Sequence, residues 1–311
     1  MKKLTASVII CTRNRLNDIK RLLISLAQQT TTPEQIIIID SSDVPLQTVP
    51  EFSEFFFVQA FPFSSLLYQH TQPGLTYQRN IGIGHAQSDI VYFIDDDAVL
   101  SCNYIEQMQK VFQEHPEYAG GMGSITNIQP FEQNIYRVLR IFFLGQRDYA
   151  SGKFTFSGMP THAYGSTEFK EVEVLGGCCM AYRLSVFTRY TFDERLTRYG
   201  YMEDCDFSRR VSYEYPLFFN PQAQLEHFNS PVARDVIVDN RAMLIKNYSY
   251  LFFKNFYSRN RLKLFAYMWS IIGFFAEAFL TRNWGYIRGY YKGLASFYWY
   301  DRSLLRYARC K

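Results

Sequence analysis

The first 115 residues are written in short apolar blocks separated by polar stretches of similar length. Ser7–Cys11 is a compact run of strand formers and predicts a first β-strand. The polar stretch Thr12–Asn17 follows and holds two arginines. Ile19, Leu22, Leu23 and Leu26 then recur at i, i+3, i+4 and i+7, which predicts a one-sided helix. Gln35–Asp40 is apolar on both faces, the mark of a strand covered by helices above and below. Ser41–Pro45 reads as a loop, Leu66–His70 as a third strand and Pro73–Gly74 as a turn. Tyr77–Ala86 predicts a helix despite Gly82 and Gly84, Ile90–Ile94 another strand, and Asn103–Glu114 another helix. Strands and helices alternating at this length make a doubly wound α/β domain with a mostly parallel sheet. Its ligand belongs at the carboxyl ends of the strands. Cys11, Asp40 and the triplet Asp95, Asp96 and Asp97 all fall there.

The triplet is the sharpest local feature. An apolar strand, Ile90–Ile94, ends abruptly in three consecutive carboxylates, which repel one another unless a cation compensates them. Hard divalent ions such as Mg²⁺ or Mn²⁺ take oxygen ligands of this kind, commonly together with substrate phosphates. The other reading of the triplet alone is a solvated acidic turn that caps the next helix.

Beyond Ala119 the pattern loosens. Residues 145–171 are rich in Gly, Ser, Thr and Tyr and read as a mobile loop over a site. Val172–Tyr182 predicts a strand with a glycine break, Cys205–Glu214 a helix and Leu217–Phe219 a short strand. Leu264–Leu280 is a 17-residue apolar stretch interrupted by Glu277, at the lower limit for a membrane span, and is read as an interfacial or buried helix.

Composition and charge sharpen the C-terminal region. The chain has 311 residues, 48% hydrophobic and 18% aromatic, so it is globular and unusually rich in rings. Its net charge of +4 is unevenly spread. From Arg241 onward 13 Lys and Arg face only Glu277 and Asp301, and all three tryptophans lie there. Basic residues interleaved with aromatics fit an anionic membrane surface. The competing readings are a tail packed on the catalytic domain or a homodimer interface. Basic tails also bind nucleic acid, but no nucleic-acid motif accompanies this one, so no nucleic-acid partner is expected. The six cysteines form no Cys-x-x-Cys pair and suggest no disulfide framework or zinc site, which favours a reducing compartment. The apolar stretch after Met1-Lys2-Lys3 is too short for a secretory leader. The expected location is cytoplasmic, peripheral to the inner face of the cell membrane.

Four motifs occur in order. They are Ser7-Val-Ile-Ile-Cys-Thr-Arg-Asn-Arg15, Ile36-Ile-Ile-Ile-Asp-Ser-Ser-Asp43, Gly74-Leu-Thr-Tyr-Gln-Arg-Asn80 with the Asp95–Asp97 triplet, and Gly200-Tyr-Met-Glu-Asp-Cys-Asp-Phe-Ser-Arg209. On these residues the chain resembles a family 2 glycosyltransferase of the GT-A fold over roughly residues 5–230. The resemblance implies a nucleotide-diphosphate sugar lying across the strand ends, UDP or dTDP being favoured. Thr12 and Arg13 match the segment beside the base, Asp40 the acid that bonds it, and Arg79 a basic residue near the diphosphate. Asp95 and Asp96 match acids near the ribose. Asp97 matches the ligand of a Mg²⁺ or Mn²⁺ cofactor, with His227 where many relatives hold the metal or diphosphate. Asp204 matches the general base of an inverting transfer, with Glu203 binding or orienting the acceptor. Acids in the first turn of a helix also favour its macrodipole, and both roles can hold at once.

The resemblance further implies that residues 1–240 are the catalytic domain, with a nucleotide-sugar half over about 1–125 and an acceptor half over about 126–240. Residues 241–311 are then a helical extension. No Gln-x-x-Arg-Trp motif follows the acid pair, so the chain is expected to add one or a few hexosyl or deoxyhexosyl units to a glycan or lipid-linked acceptor. It is similar to rhamnosyl-type transferases of bacterial surface polysaccharide synthesis. Two alternatives stand beside this reading: a non-catalytic sugar-nucleotide or glycan-binding protein, and a metal-dependent phosphoryl or nucleotidyl transferase.

Overall fold

The structure, a computed structural model, describes residues 3–55, 63, 65–128, 135–143, 151–228, 230 and 237–300. The chain divides into two compact units, one of residues 1–128 and 163–233, the other of residues 129–162 and 234–311. The second unit therefore takes in residues 129–162 together with the C-terminal helices.

The first unit opens with β1 (Ala6–Thr12), α1 (Leu16–Ala27), β2 (Gln35–Asp40), the single turn α2 (Pro50–Ser53), β3 (Ser65–His70), α3 (Leu75–His85) and β4 (Ile90–Ile94). β1, β2, β3 and β4 pair in parallel, in the order β3-β2-β1-β4. The isoleucine run of β2 and the apolar run of β4 are buried throughout, as covering on both faces requires. α1 buries Ile19, Leu22, Leu23 and Leu26, the stripe its sequence spacing predicts. α3 lies unusually close to β1 because Gly82 has no side chain: a Cβ there would stand 2.5 Å from Cγ2 of Ile9.

From β4 the chain turns through the triplet into β5 (Ala98–Leu100) and α4 (Tyr104–Glu114), and then into β6 (Gly120–Ile125). The second unit contributes α5 (Ile135–Phe142) and the small β7 (Lys153–Phe154) and β8 (Pro160–Thr161) hairpin within the predicted loop, of which residues 145–150 lie outside the described residues. The first unit resumes with β9 (Lys170–Val172), β10 (Cys179–Arg183), α6 (Glu203–Ser212) and β11 (Leu217–His227). Among the described residues these complete a nine-stranded sheet, β3-β2-β1-β4-β10-β6-β11-β5, with β9 beside β11. The parallel character belongs to its first half and to the β6–β11 pair; β10 runs antiparallel to both its neighbours.

Two strands differ from the sequence expectation. The stretch predicted as one broken strand is two, because β9 pairs with β11 and β10 with β4 and β6. The break between them, around Gly176 and Gly177, leaves the sheet altogether. The predicted short strand at Leu217 instead runs eleven residues to His227, passing Pro221 through a register shift between Phe219 and Gln224.

The second unit ends with α7 (Ile237–Leu251), α8 (Lys263–Leu280) and α9 (Trp284–Tyr300). α9 packs tightly on α7 at Gly289 and Gly293, where a Cβ would meet Cβ of Arg241 at 2.6 Å and the Ala242 carbonyl at 2.4 Å. α8 packs on α5: Gly273 admits Phe143, Arg140 pairs with Glu277, and the Trp269 indole donates to the Phe142 carbonyl at 3.0 Å. The interrupting Glu277 is thus neutralised within the unit. α8 is the one helix among the described residues long and apolar enough to cross a membrane, and only a third of that stretch is buried. Its outer side carries Phe265 (77% exposed), Met268, Ile272 and Phe279, with Leu262 before it and Trp284 after it.

Candidate active site

The three carboxylates at the end of β4 have three different environments. Asp96 is buried, accepting 2.7 Å and 2.8 Å hydrogen bonds from Thr12 Oγ1 and Arg15 Nη1. Burial still pushes its carboxyl up to about 7, against the pull of Arg15 and Thr12. Asp97 turns the other way. Its Oδ2 accepts the Ser230 N–H at 2.7 Å, and its Oδ1 lies 2.9 Å from Nε2 of His227. Burial opposes ionisation of Asp97, but His227, the Ser230 amide and Arg15 outweigh it and hold the carboxyl below its ordinary value. Burial likewise opposes the charged imidazole, yet the bond to Asp97 raises His227 to about 9. Asp95, partly exposed, lies 3.7 Å from His227 and 3.6 Å from Arg79, and burial raises its carboxyl against both cations.

His227 reaches this place because β11 is long. Its last residue pairs with Ala98 of β5, one residue beyond Asp97, and the Phe228 N–H bonds the Asp97 carbonyl at 3.0 Å. A strand ending at Phe219 would leave the imidazole far from the triplet. One ligand atom each from Asp95, Asp97 and His227 lies within 4.8 Å of the others. Two carboxylate oxygens and an imidazole nitrogen converging this closely fit a hard or borderline divalent ion, and Asp96, committed to Thr12 and Arg15, stays outside the set.

The acid pair sits at the start of α6. The turn before it is sharp: Arg198, Gly200 and Met202 all take positive φ, and Met202 is the N-cap. Glu203 is buried against Arg79, and its Oε2 has no hydrogen-bond partner. Burial lifts Glu203 to about 8, with Arg79 opposing and Asp204 adding to the rise. Asp204 is less buried and accepts the Gly177 N–H at 2.9 Å and the Cys205 N–H at 2.8 Å. Asp206 is fully buried and pairs with Arg210 within the helix. The strand break puts Gly177 between the two acidic groups, since the neighbouring Cys178 carbonyl accepts the Asp95 N–H at 3.2 Å.

The structure brings Thr12, Arg79, Asp95, Asp96, Asp97, Glu203, Asp204 and His227 to one end of the sheet. Arg13 and Asp40 direct their side-chain hydrogen bonds elsewhere. Arg13 is exposed and pairs with Asp43 at 3.1 Å, part of a clamp in which Asn14 and Asp43 also exchange hydrogen bonds. Asp40 is fully buried at the end of β2, beside Thr12 in register. Its oxygens accept the Ser42 and Leu46 N–H groups and the Tyr68 hydroxyl, the arrangement of a turn former. Asn80 ties α3 to the backbone of Phe192 through both ends of its amide. Sequence reasoning missed three participants. Arg15 was visible only as one of two arginines after β1, Gln78 bonds the Thr12 and Ile39 carbonyls, and the Ser230 amide offers no side-chain signal.

Comparison with known proteins gives the family and the fold. The family model for glycosyl transferase family 2 matches residues 7–191, which takes in the triplet and stops short of the acid pair. The glycosyltransferase YwdF of Bacillus subtilis (strain 168), itself uncharacterised, is 27% identical over 147 residues, 46% of this chain and 51% of the relative. An uncharacterised glycosyltransferase of Haemophilus influenzae is 27% identical over 110 residues, 35% of each chain. The match thus spans about half or less of these relatives. Among solved structures, GalNAc-T7 with UDP, GalNAc and Mn²⁺ superposes with a TM-score of 0.59 at 14% identity, over 81% of this chain and 48% of that one. S. aureus TarS 1–349 gives 0.52 at 17% identity, over 88% and 72%. These likenesses show a GT-A fold. With its family model covering more than half of the chain, the protein belongs to glycosyl transferase family 2.

Proposed function

We propose that the chain is a metal-dependent, inverting glycosyltransferase. It moves a hexosyl or deoxyhexosyl unit from a nucleotide-diphosphate donor to a hydroxyl of a glycan or lipid-linked acceptor in bacterial surface polysaccharide synthesis. The observation that carries this reading is that a cation-fitting trio, Asp95, Asp97 and His227, and an acid pair, Glu203 and Asp204, are held at the same end of one sheet. A bound Mg²⁺ or Mn²⁺ would neutralise charge on the departing diphosphate. Thr12 and Asp96 lie on the nucleotide side. Asp204 is the base: it takes the proton of the acceptor hydroxyl as that oxygen bonds the anomeric carbon and the bond to the diphosphate breaks on the opposite face. Glu203, buried and inclined to keep a proton, orients the acceptor with its unpartnered Oε2.

The structures of GalNAc-T7 with UDP, GalNAc and Mn²⁺ and of TarS with UDP favour a uridine donor here, with a thymidine donor next. Calorimetric titration of UDP, dTDP and GDP, with and without Mn²⁺, tests the reading. Metal-dependent binding of one nucleotide is expected, and a folded sample that binds none overturns the donor site. A non-catalytic binding module has no use for a base, so metal-dependent hydrolysis of the donor by the purified protein separates the two readings.

The catalytic unit is residues 1–128 and 163–233, and the second unit holds the chain at an anionic membrane face. The outward aromatic and aliphatic side chains of α8, with Arg259, Arg261, Lys263, Arg282 and Arg288 at or near its ends and on α9, suit a helix lying in the headgroup layer. Co-sedimentation with vesicles containing phosphatidylglycerol is expected and should weaken as salt rises. A triple variant, Phe265→Ser, Met268→Ser and Ile272→Ser, should stay in solution yet still bind nucleotide. Equal pelleting by the variant removes this face as the contact, and a concentration-dependent dimer without vesicle binding assigns it to self-association.

A further inference from the structure

We propose that Arg79 is a positioning residue that sets both members of the acid pair, and not a ligand of the donor diphosphate. This rests on the transferase reading above. Arg79 stands one turn before Gly82 on α3, on the face that the missing Cβ of Gly82 lets down onto β1. Arg79 is consequently 2% exposed, and its guanidinium lies against the rings of Phe93 and Phe192, 5.7 and 5.3 Å from their centroids. Each terminal nitrogen faces a protein group. Nη1 pairs with Glu203, while Nη2 donates to the Gly177 carbonyl at 2.9 Å and lies 3.6 Å from Asp95.

The link to Asp204 runs through Gly177. Its carbonyl accepts from Arg79 and its N–H donates to Asp204, both at 2.9 Å. A Cβ there would stand 2.9 Å from Oε1 of Glu203 and 3.3 Å from Nη2 of Arg79, so a side chain at this position pushes directly on the pair. One planar cation therefore holds Glu203 directly and Asp204 through one residue, and touches the metal-side carboxylate Asp95 as well. A phosphate could claim this guanidinium only by displacing Glu203 and the Gly177 carbonyl and leaving both buried oxygens without their donor, which is costly. The planar fork serves this geometry better than an ammonium could.

The test compares the dissociation constant for UDP in the presence of Mn²⁺ with the rate of donor hydrolysis, in which water takes the acceptor's place. The probes are UDP-glucose, UDP-N-acetylglucosamine and dTDP-rhamnose, on whichever the wild type acts. In Arg79→Gln, UDP affinity should stay within about threefold while turnover falls about 100-fold or more, and Arg79→Lys should recover part of the rate. A folded variant whose UDP affinity drops about 30-fold makes Arg79 a diphosphate ligand and overturns the proposal. Unchanged turnover overturns it too. Should Arg79→Gln fail to fold, Gly177→Ala breaks the same link from the other side and carries the same two expectations. Wild-type protein that binds neither UDP, dTDP nor GDP defeats the transferase reading itself, and this inference with it.

Discussion

The two acidic groups of the site differ in how their charge is compensated. In the triplet every carboxylate meets a cation: Asp96 has Arg15 and also Thr12, Asp97 has His227 and the Ser230 amide, and Asp95 shares Arg79 and His227. In the acid pair Glu203 meets the Arg79 guanidinium, and Asp204 accepts two backbone N–H groups. Asp95 and Asp97, held apart in this way, present with His227 a converging set of donor atoms that suits a fixed cation. Two adjacent carboxylates, one buried to a raised pKa and one more open, suit the handling of a proton. The proposed division into a cation site and a proton site rests on this difference and not on the number of acids.

The largest expected effect breaks the pair at its open member. Asp204→Asn keeps the size and the acceptor for the Gly177 N–H but removes the base, so turnover should fall about 10³-fold with nucleotide affinity nearly unchanged. If nucleotide binding is lost instead, Asp204 belongs functionally with the triplet. The next effect breaks the triplet at Asp97. Asp97→Ala should weaken Mn²⁺-dependent UDP binding by about 100-fold, measured by calorimetry, while UDP binding without metal changes little. His227→Ala should cost about tenfold in the same titration, since it supplies one neutral ligand. A wild-type UDP affinity that does not fall when a chelator removes the metal would contradict the cation role of the trio.

Much of the first half of the fold was legible because its parallel strands are continuous apolar runs. β2 and β4 needed no side-chain detail to be recognised. β6 was not legible: its Gly120-Gly121-Met122-Gly123 sequence looks like a loop, yet each glycine is demanded by a large neighbour, Tyr182, Phe218 and Tyr104 respectively. The length of β11 was hidden by Pro221, which ends most strands but here sits in a register shift. The site was legible as residue types at the strand ends. What could not be read was direction. Asp40 and Arg79 both face inward, Asp40 onto its own turn and Arg79 onto Glu203, because local hydrogen-bond demand and the close seat of Gly82 decide orientation. Spacing along the chain carries neither piece of information.

The smallest effect sharpens the comparison through pH. Glu203 ordinarily titrates near 4.5, and burial in the folded chain lifts it to about 8. Between those values the folded state holds a proton that the unfolded state has lost, so stability declines as pH rises through this window. The stabilisation is complete below the lower value and gone above the upper one. Asp96, lifted to about 7, and His227, lifted to about 9, act in the same direction, so the wild-type slope alone does not isolate Glu203. The difference between wild type and Glu203→Gln does, because the amide keeps the shape and cannot ionise. Melting temperatures measured from pH 5 to pH 9 without divalent ions should run close together at the acid end and separate by several degrees at the basic end, the variant being the more stable there. Parallel curves would mean that Arg79 compensates Glu203 as fully as Arg15 and His227 compensate the triplet, and the distinction between a cation site and a proton site would then rest on Asp204 alone.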